Sequence, residues 1–131
     1  MMRWVLAVFY GVAGYLHIAH PAPFISIMPP GIPLHAEIVF LTGLAEIAGA
    51  IGLAQPWRGD LRRAAGIGLA CYAACVWPAN INHFVLDMVR PDGGLGLTYH
   101  VPRMLAQPIL IWLALWTGGA TRWPLRNAPD V

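Results

Sequence analysis

The sequence predicts an all-α membrane protein, a bundle of four transmembrane helices with both termini cytoplasmic. Three observations carry that expectation. Charged residues make up 11% of the 131-residue chain and apolar residues 58%. Soluble domains carry roughly 25% charge, so this chain has too few charges to cover a solvated surface. Four apolar stretches, about residues 3–19, 36–54, 64–88 and 101–119, are separated by segments rich in proline, glycine or charge. The arginines divide unevenly between the two sides that those stretches define.

A helix needs about 20 residues to cross the hydrocarbon core. The last three stretches reach that length and the first falls slightly short. Lipid offers the backbone no partner, so each stretch must satisfy its own hydrogen bonds as a helix. The first stretch, Arg3 followed by an apolar run from Trp4 to Leu16, has the outline of a signal peptide. His17, His20 and Pro21 stand where a small-x-small cleavage site would be, so the segment is expected to stay as a helix. Arg3, Arg58, Arg62, Arg63, Arg122 and Arg126 fall on one side; Arg90 and Arg103 fall on the other. Cytoplasmic loops are enriched in arginine, which sets the orientation. Trp4, Trp57 and Trp123 mark the same inner boundary. One domain over residues 1–131 accounts for the length.

Composition excludes other classes. A net charge of +2, with no basic run among aromatics, excludes nucleic-acid binding. Cys71 and Cys75 stand at i,i+4, neither a zinc pattern nor a C-x-x-C motif. They are expected to pack among small residues. Helix contacts should rest on such residues, with Gly66, Ala70 and Ala74 in one row and Ala45 and Gly49 in another.

The polar residues gather toward the outer side. All five histidines lie there: His17, His20, His35, His83 and His100. Glu46 lies deep within the second stretch, where an ionisable group costs several kcal/mol unless paired or hydrated, and such a group usually faces a bundle interior or a cavity. Asn80, His83 and Asp87 follow i, i+3, i+7 spacing and share one helix face, as do His100, Arg103 and Gln107. Thr42 and Glu46 lie one turn apart. The simplest packing turns these stripes inward, with Arg103 as partner for Glu46, Asp87 or an incoming anion. Pro78 and Pro108 sit beside the stripes, each freeing a carbonyl one turn earlier. The first outer loop, residues 20–35, holds five prolines and no carboxylate or arginine. Phe24, Ile25, Ile27 and Met28 suit it to lie as an apolar lid over the polar site.

Taken in order, these residues resemble the DoxX family of small four-helix membrane proteins. Gly14 and His17, then Pro23, Phe24 and Pro29, are similar to its G-x-x-H…P-x-F…P opening. Gly43, Glu46, Ile47, Gly49, Gly52 and Leu53 are similar to its G-x-x-E-I-x-G-x-x-G-L segment. Trp77 to Ile81 resembles F-P-A-N-I, and Arg103 with Gln107 resembles R-L-P-x-Q. Ile18 replaces a common phenylalanine, and Pro102 precedes Arg103 rather than following it. The likeness spans about residues 8–117. It implies a multi-pass protein of the bacterial cytoplasmic membrane, associated with redox systems that include a thiosulfate:quinone oxidoreductase.

The expected function is therefore a membrane oxidoreductase subunit that binds a quinone-like or other small ligand in an outer-side pocket. Glu46 is the candidate catalytic group, accepting or relaying a proton. His17, Asn80, His83, Arg103 and Gln107 are the candidate ligand-binding residues. No flavin fingerprint or iron–sulfur cysteine pattern appears, so electrons would come from a redox partner protein. Two alternatives stand beside this reading. One is a solute transport or binding module, for which homo-oligomerisation would be needed to build a path. The other is a structural assembly partner of another membrane enzyme. Histidines from four helix ends could also converge on a metal, but no spacing is diagnostic and no metal ligand is assigned.

Overall fold

A computed structural model describes residues 1–123. Arg126, counted above toward the inner side, lies outside them. The described residues form five helices and no strand: α1 (Met2–Ala19), α2 (Ala22–Ser26), α3 (His35–Ala54), α4 (Gly59–Met88) and α5 (Leu97–Thr117). The long helices α1, α3 and α4 are long and apolar enough to cross a membrane. Helix α5 has the length, but His100, Arg103, Gln107 and two prolines dilute its apolar character.

The helix ends follow from local chemistry. Helix α4 begins five residues before its apolar stretch, because Asp60 suits the positive N-terminal end of the helix and Arg62 and Arg63 are good helix formers that reach water. Helix α5 begins at Leu97, four residues earlier than expected, after Gly96 with φ of 73°. It stops at Thr117 because Gly118 and Gly119 follow. The α3–α4 turn is tight. Gln55 donates from Nε2 to the Gly52 and Arg58 carbonyls and accepts from the Arg58 N–H at 2.8 Å.

Successive long helices run antiparallel and touch through small residues. A Cβ built on Gly14 would lie 2.6 Å from the Gly43 carbonyl oxygen, and one on Gly43 2.9 Å from the Gly14 oxygen. Helices α1 and α3 therefore cross backbone to backbone. Gly49 faces Leu69, and Gly52 faces Ala65, joining α3 to α4; Gly66 meets Gly118 between α4 and α5. Helix α1 meets α5 only lightly, so the ring of helices is loosest there. Gly49, Gly66 and Ala70 are buried as expected, whereas Ala45 and Ala74 are exposed. The buried small residues are instead Gly43 and Ala73, each one or two positions away.

The surface inverts the soluble pattern. Val5, Val8 and Val12, Phe40 and Leu44, Ile81 and Val85, and Val101, Leu105 and Ile109 are exposed. Glu46, Asn80, Asp87, His100 and Gln107 are buried. Soluble proteins keep such charged and amide groups mostly outside. The outward apolar stripes suit hydrocarbon, and the chain has the character of a membrane protein.

Candidate functional site

The Gly14–Gly43 crossing fixes the first part of the site. Across this antiparallel crossing Gly14 packs on the Cβ of Glu46 and Gly43 on the Cβ of His17, so the close approach of the backbones carries the two side chains together. His17 Nδ1 lies 2.9 Å from Glu46 Oε2. The same nitrogen lies 2.9 Å from the Ala13 carbonyl. A carbonyl only accepts, so Nδ1 carries the proton. That proton points at Ala13, and Glu46 Oε2 is left without an aligned hydrogen bond. The pair is close in distance but not closed in direction.

Glu46 faces a cavity of about 470 Å³. Helices α1 and α3 give one wall through His17, Thr42 and Glu46. Helices α4 and α5 give the other through Tyr72, Asn80, Arg103 and Gln107. Most of the remaining lining is apolar. Phe24, Ile27, Met28 and Ile32 line the cavity from the segment expected to form a lid. That segment is held at three points. Phe24 stacks on His17 at 3.7 Å. Asn82 Nδ2 donates to the Ile27 carbonyl at 2.9 Å, and His35 Nε2 lies 3.2 Å from the Pro29 carbonyl. Part of the expected irregular loop is the short helix α2, begun by Pro21 and Pro23, whose fixed φ suits a first turn.

Three buried polar atoms at this cavity lack a partner among the described residues: Tyr10 Oη, Glu46 Oε2 and Gln107 Oε1. Tyr72 lies beside the Glu46 carboxylate. Leaving a buried polar group unsatisfied costs about 1–3 kcal/mol. Several such groups around one apolar space are the usual signature of a site built to hold something.

A second polar cluster joins α4 to α5 next to the cavity. Arg103 donates from Nη1 to His83 Nδ1 at 2.7 Å. A guanidinium only donates, so the His83 proton sits on Nε2, 3.6 Å from Asp87 Oδ2. The same oxygen accepts from His100 Nε2 at 2.9 Å and from the Leu95 N–H at 2.9 Å. Gly94, with φ of 54°, packs so closely on the Asp87 carboxylate that a side chain would collide with it. Arg90 forks onto Asp92 through two bonds of 2.9 Å. Outside the helices, that guanidinium holds the Asp92 carboxyl down to about 2.

Five of the six sequence-selected residues, His17, Glu46, Asn80, Arg103 and Gln107, line the one cavity. His83 stands outside it, one bond away through Arg103. The expected ion pair of Arg103 with a carboxylate is absent among the described residues. Glu46 faces His17 instead, and Asp87 is taken by His100. His20 is exposed, and His35 serves the lid. Cys71 and Cys75 are free and exposed, rather than packed among small residues, and Cys75 borders the cavity. Tyr10, Tyr72 and His100 were not selected. Tyr10 lies seven residues before His17 and Tyr72 eight before Asn80, spacings that return to one helix face.

Fold and cavity together define a class, an all-helical membrane-type protein with a lidded internal pocket carrying a few polar groups. The chain belongs to the family described as a domain of unknown function (DUF8561), whose model matches residues 6–118. No curated protein and no solved structure matches it.

Proposed function

We propose that the lidded cavity binds a small, largely apolar molecule bearing oxygen groups, of the quinone type, and that the chain serves as the membrane subunit of a redox system. In this reading all four long helices span the bilayer and both termini are cytoplasmic. The site then lies at the outer end of the bundle. The observation that carries the reading is the trio of unpartnered polar atoms, Tyr10 Oη, Glu46 Oε2 and Gln107 Oε1, around an apolar space. Its volume lies within the range of about 300–1,000 Å³ usual for small-molecule sites.

A quinone offers acceptors and a quinol offers donors, separated by a flat apolar ring. Arg103 and Asn80 donate to an oxygen on the α4–α5 wall. Gln107 Oε1 accepts from a hydroxyl there. Glu46 stands on the opposite wall, beside a protonated His17 nitrogen, placed to exchange a proton with the second oxygen. Reduction of a quinone takes two electrons and two protons. The site residues handle protons, and a partner redox protein supplies the electrons. The ordered motifs that resemble the DoxX family agree with a place in such a system.

Purification in lipid nanodiscs, followed by solvent extraction and mass spectrometry, tests this reading. A quinone or quinol recovered near one per chain, and lost in Arg103→Gln, is expected. Extracts that hold only phospholipid, from protein still able to fold, contradict it.

A further inference from the structure

The Asp87 cluster has its own chemistry. We propose that His83, Asp87 and His100 bind a divalent transition metal of the zinc class. One ligating atom from each residue lies within 4.8 Å of the others. His83 and Asp87 project from consecutive turns of α4, and His100 enters from the first turns of α5. The 89–96 loop clamps Asp87 through the Leu95 N–H.

The separations fit a metal. Zinc–ligand bonds of about 2.0–2.2 Å place the corners of a tetrahedron about 3.3 Å apart. Here Asp87 Oδ2 lies 2.9 Å from His100 Nε2 and 3.6 Å from His83 Nε2, one on either side of that value. Small side-chain rotations suffice to admit an ion. Two imidazoles with one carboxylate select first-row transition metals over calcium or magnesium, which prefer oxygen alone. Three protein ligands leave one position for water or substrate.

Burial supports a built site. Asp87 is 5% exposed and His100 1%. His100 Nδ1 is buried and has no partner among the described residues. With the Nε2 proton committed to Asp87, Nδ1 is a bare lone pair. A metal on His100 Nε2 sends that proton to the free Nδ1, a tautomer shift that costs no hydrogen bond on the Nδ1 side.

Metal binding has a consequence for Arg103. To ligate through Nε2, His83 must move its proton to Nδ1. Nδ1 then no longer accepts from the guanidinium, and the 2.7 Å contact breaks. Arg103 also lines the cavity. The metal thus releases Arg103 toward the pocket, and Arg103 opposes metal binding while it stays on His83.

The test is a titration of the full chain in nanodiscs, stripped with chelator, using Co²⁺ and then Zn²⁺. One equivalent of Co²⁺ is expected, with visible d–d absorption that Zn²⁺ abolishes. Asp87→Asn and His83→Gln should each weaken binding by at least about tenfold, while His20→Gln, at an exposed position, leaves it unchanged. His83 is half-buried, so His83→Gln remains informative if Asp87→Asn fails to fold. Arg103→Gln should bind tighter, by about 5- to 150-fold if the coupling is of ordinary size. Absence of saturable uptake overturns the site, as does equal binding by folded Asp87→Asn and His83→Gln. An Arg103→Gln affinity no higher than wild type overturns the displacement. Quinone recovery is measured separately, so failure of this site leaves the cavity reading standing.

Discussion

Gln107 separates structure from function most cleanly. It is buried, and its Oε1 finds no partner among the described residues. A side chain kept for stability would not be left so. Replacing it with leucine removes the unsatisfied atom at nearly constant volume. Gln107→Leu is therefore expected to hold or raise stability, by up to about 1 kcal/mol, while weakening the quinone-type ligand. Thermal unfolding in detergent together with a binding titration checks both signs. Arg103 behaves differently, because it donates to His83 as well as lining the cavity. A hydrogen bond to a charged group is worth about 1.5–3 kcal/mol. Arg103→Gln should thus weaken binding by tenfold or more, and Arg103→Lys should recover only part, having the charge without the planar fork.

Among the elements, the α1–α3 crossing governs whether His17 reaches Glu46. A methyl on Gly14 meets a backbone carbonyl at 2.6 Å, and backbone cannot step aside as a flexible side chain does. Gly14→Ala should cost about 1–3 kcal/mol, the usual range for overpacking. Gly68 has nothing within 4 Å of its built Cβ. Gly68→Ala should be neutral or slightly stabilising, since alanine is the better helix former. Unfolding of the two variants in one detergent compares them directly. The lid is a second element with a simple lever. Asn82 ties α4 to the Ile27 carbonyl, 55 positions away in the chain. In a background of Cys71→Ser and Cys75→Ser, a cysteine replacing Ile27 should react slowly with an impermeant maleimide. Asn82→Ala should speed that reaction severalfold, and equal rates would show that the bond does not hold the lid.

Helix existence was legible because an uninterrupted apolar run in lipid has one backbone solution. The depth of Glu46 was legible for a related reason, since a carboxylate inside such a run stands out. Pairing was not. Whether Glu46 meets Arg103 or His17 depends on how α1 and α3 rotate about the Gly14–Gly43 contact, and spacing along one helix says nothing about rotation against another. The same blindness explains Ala45 and Ala74. Small residues are abundant on all faces of these helices, and a shift of one residue turns the face by about 100°. The spacing puts His100 on the inward stripe of α5 but just outside the expected helix start; because α5 begins at Leu97, His100 falls within its first turn and is buried.

At the scale of the whole molecule, the alternation of helix direction puts Met1, the 55–58 turn and Trp123 at one end, with the lid and the 89–96 loop at the other. Arg3, Arg58, Arg62, Arg63 and Arg122 share the first end. In the same cysteine-free background, a cysteine replacing Trp57 should be labelled only from the cytoplasmic side and one replacing Leu95 only from outside. Labelling of both from one side would remove the four-span topology. The central claim is that the cavity between the two helix pairs holds a quinone-type ligand. Its most direct measurement is a titration of delipidated protein in nanodiscs with a short-chain quinone, followed by tryptophan fluorescence, for wild type and Gln107→Leu. Saturable one-to-one binding, weakened by about tenfold or one hydrogen bond's worth in a variant that melts no lower, is the predicted result. Quenching that rises without saturation, identically in both proteins, would contradict it.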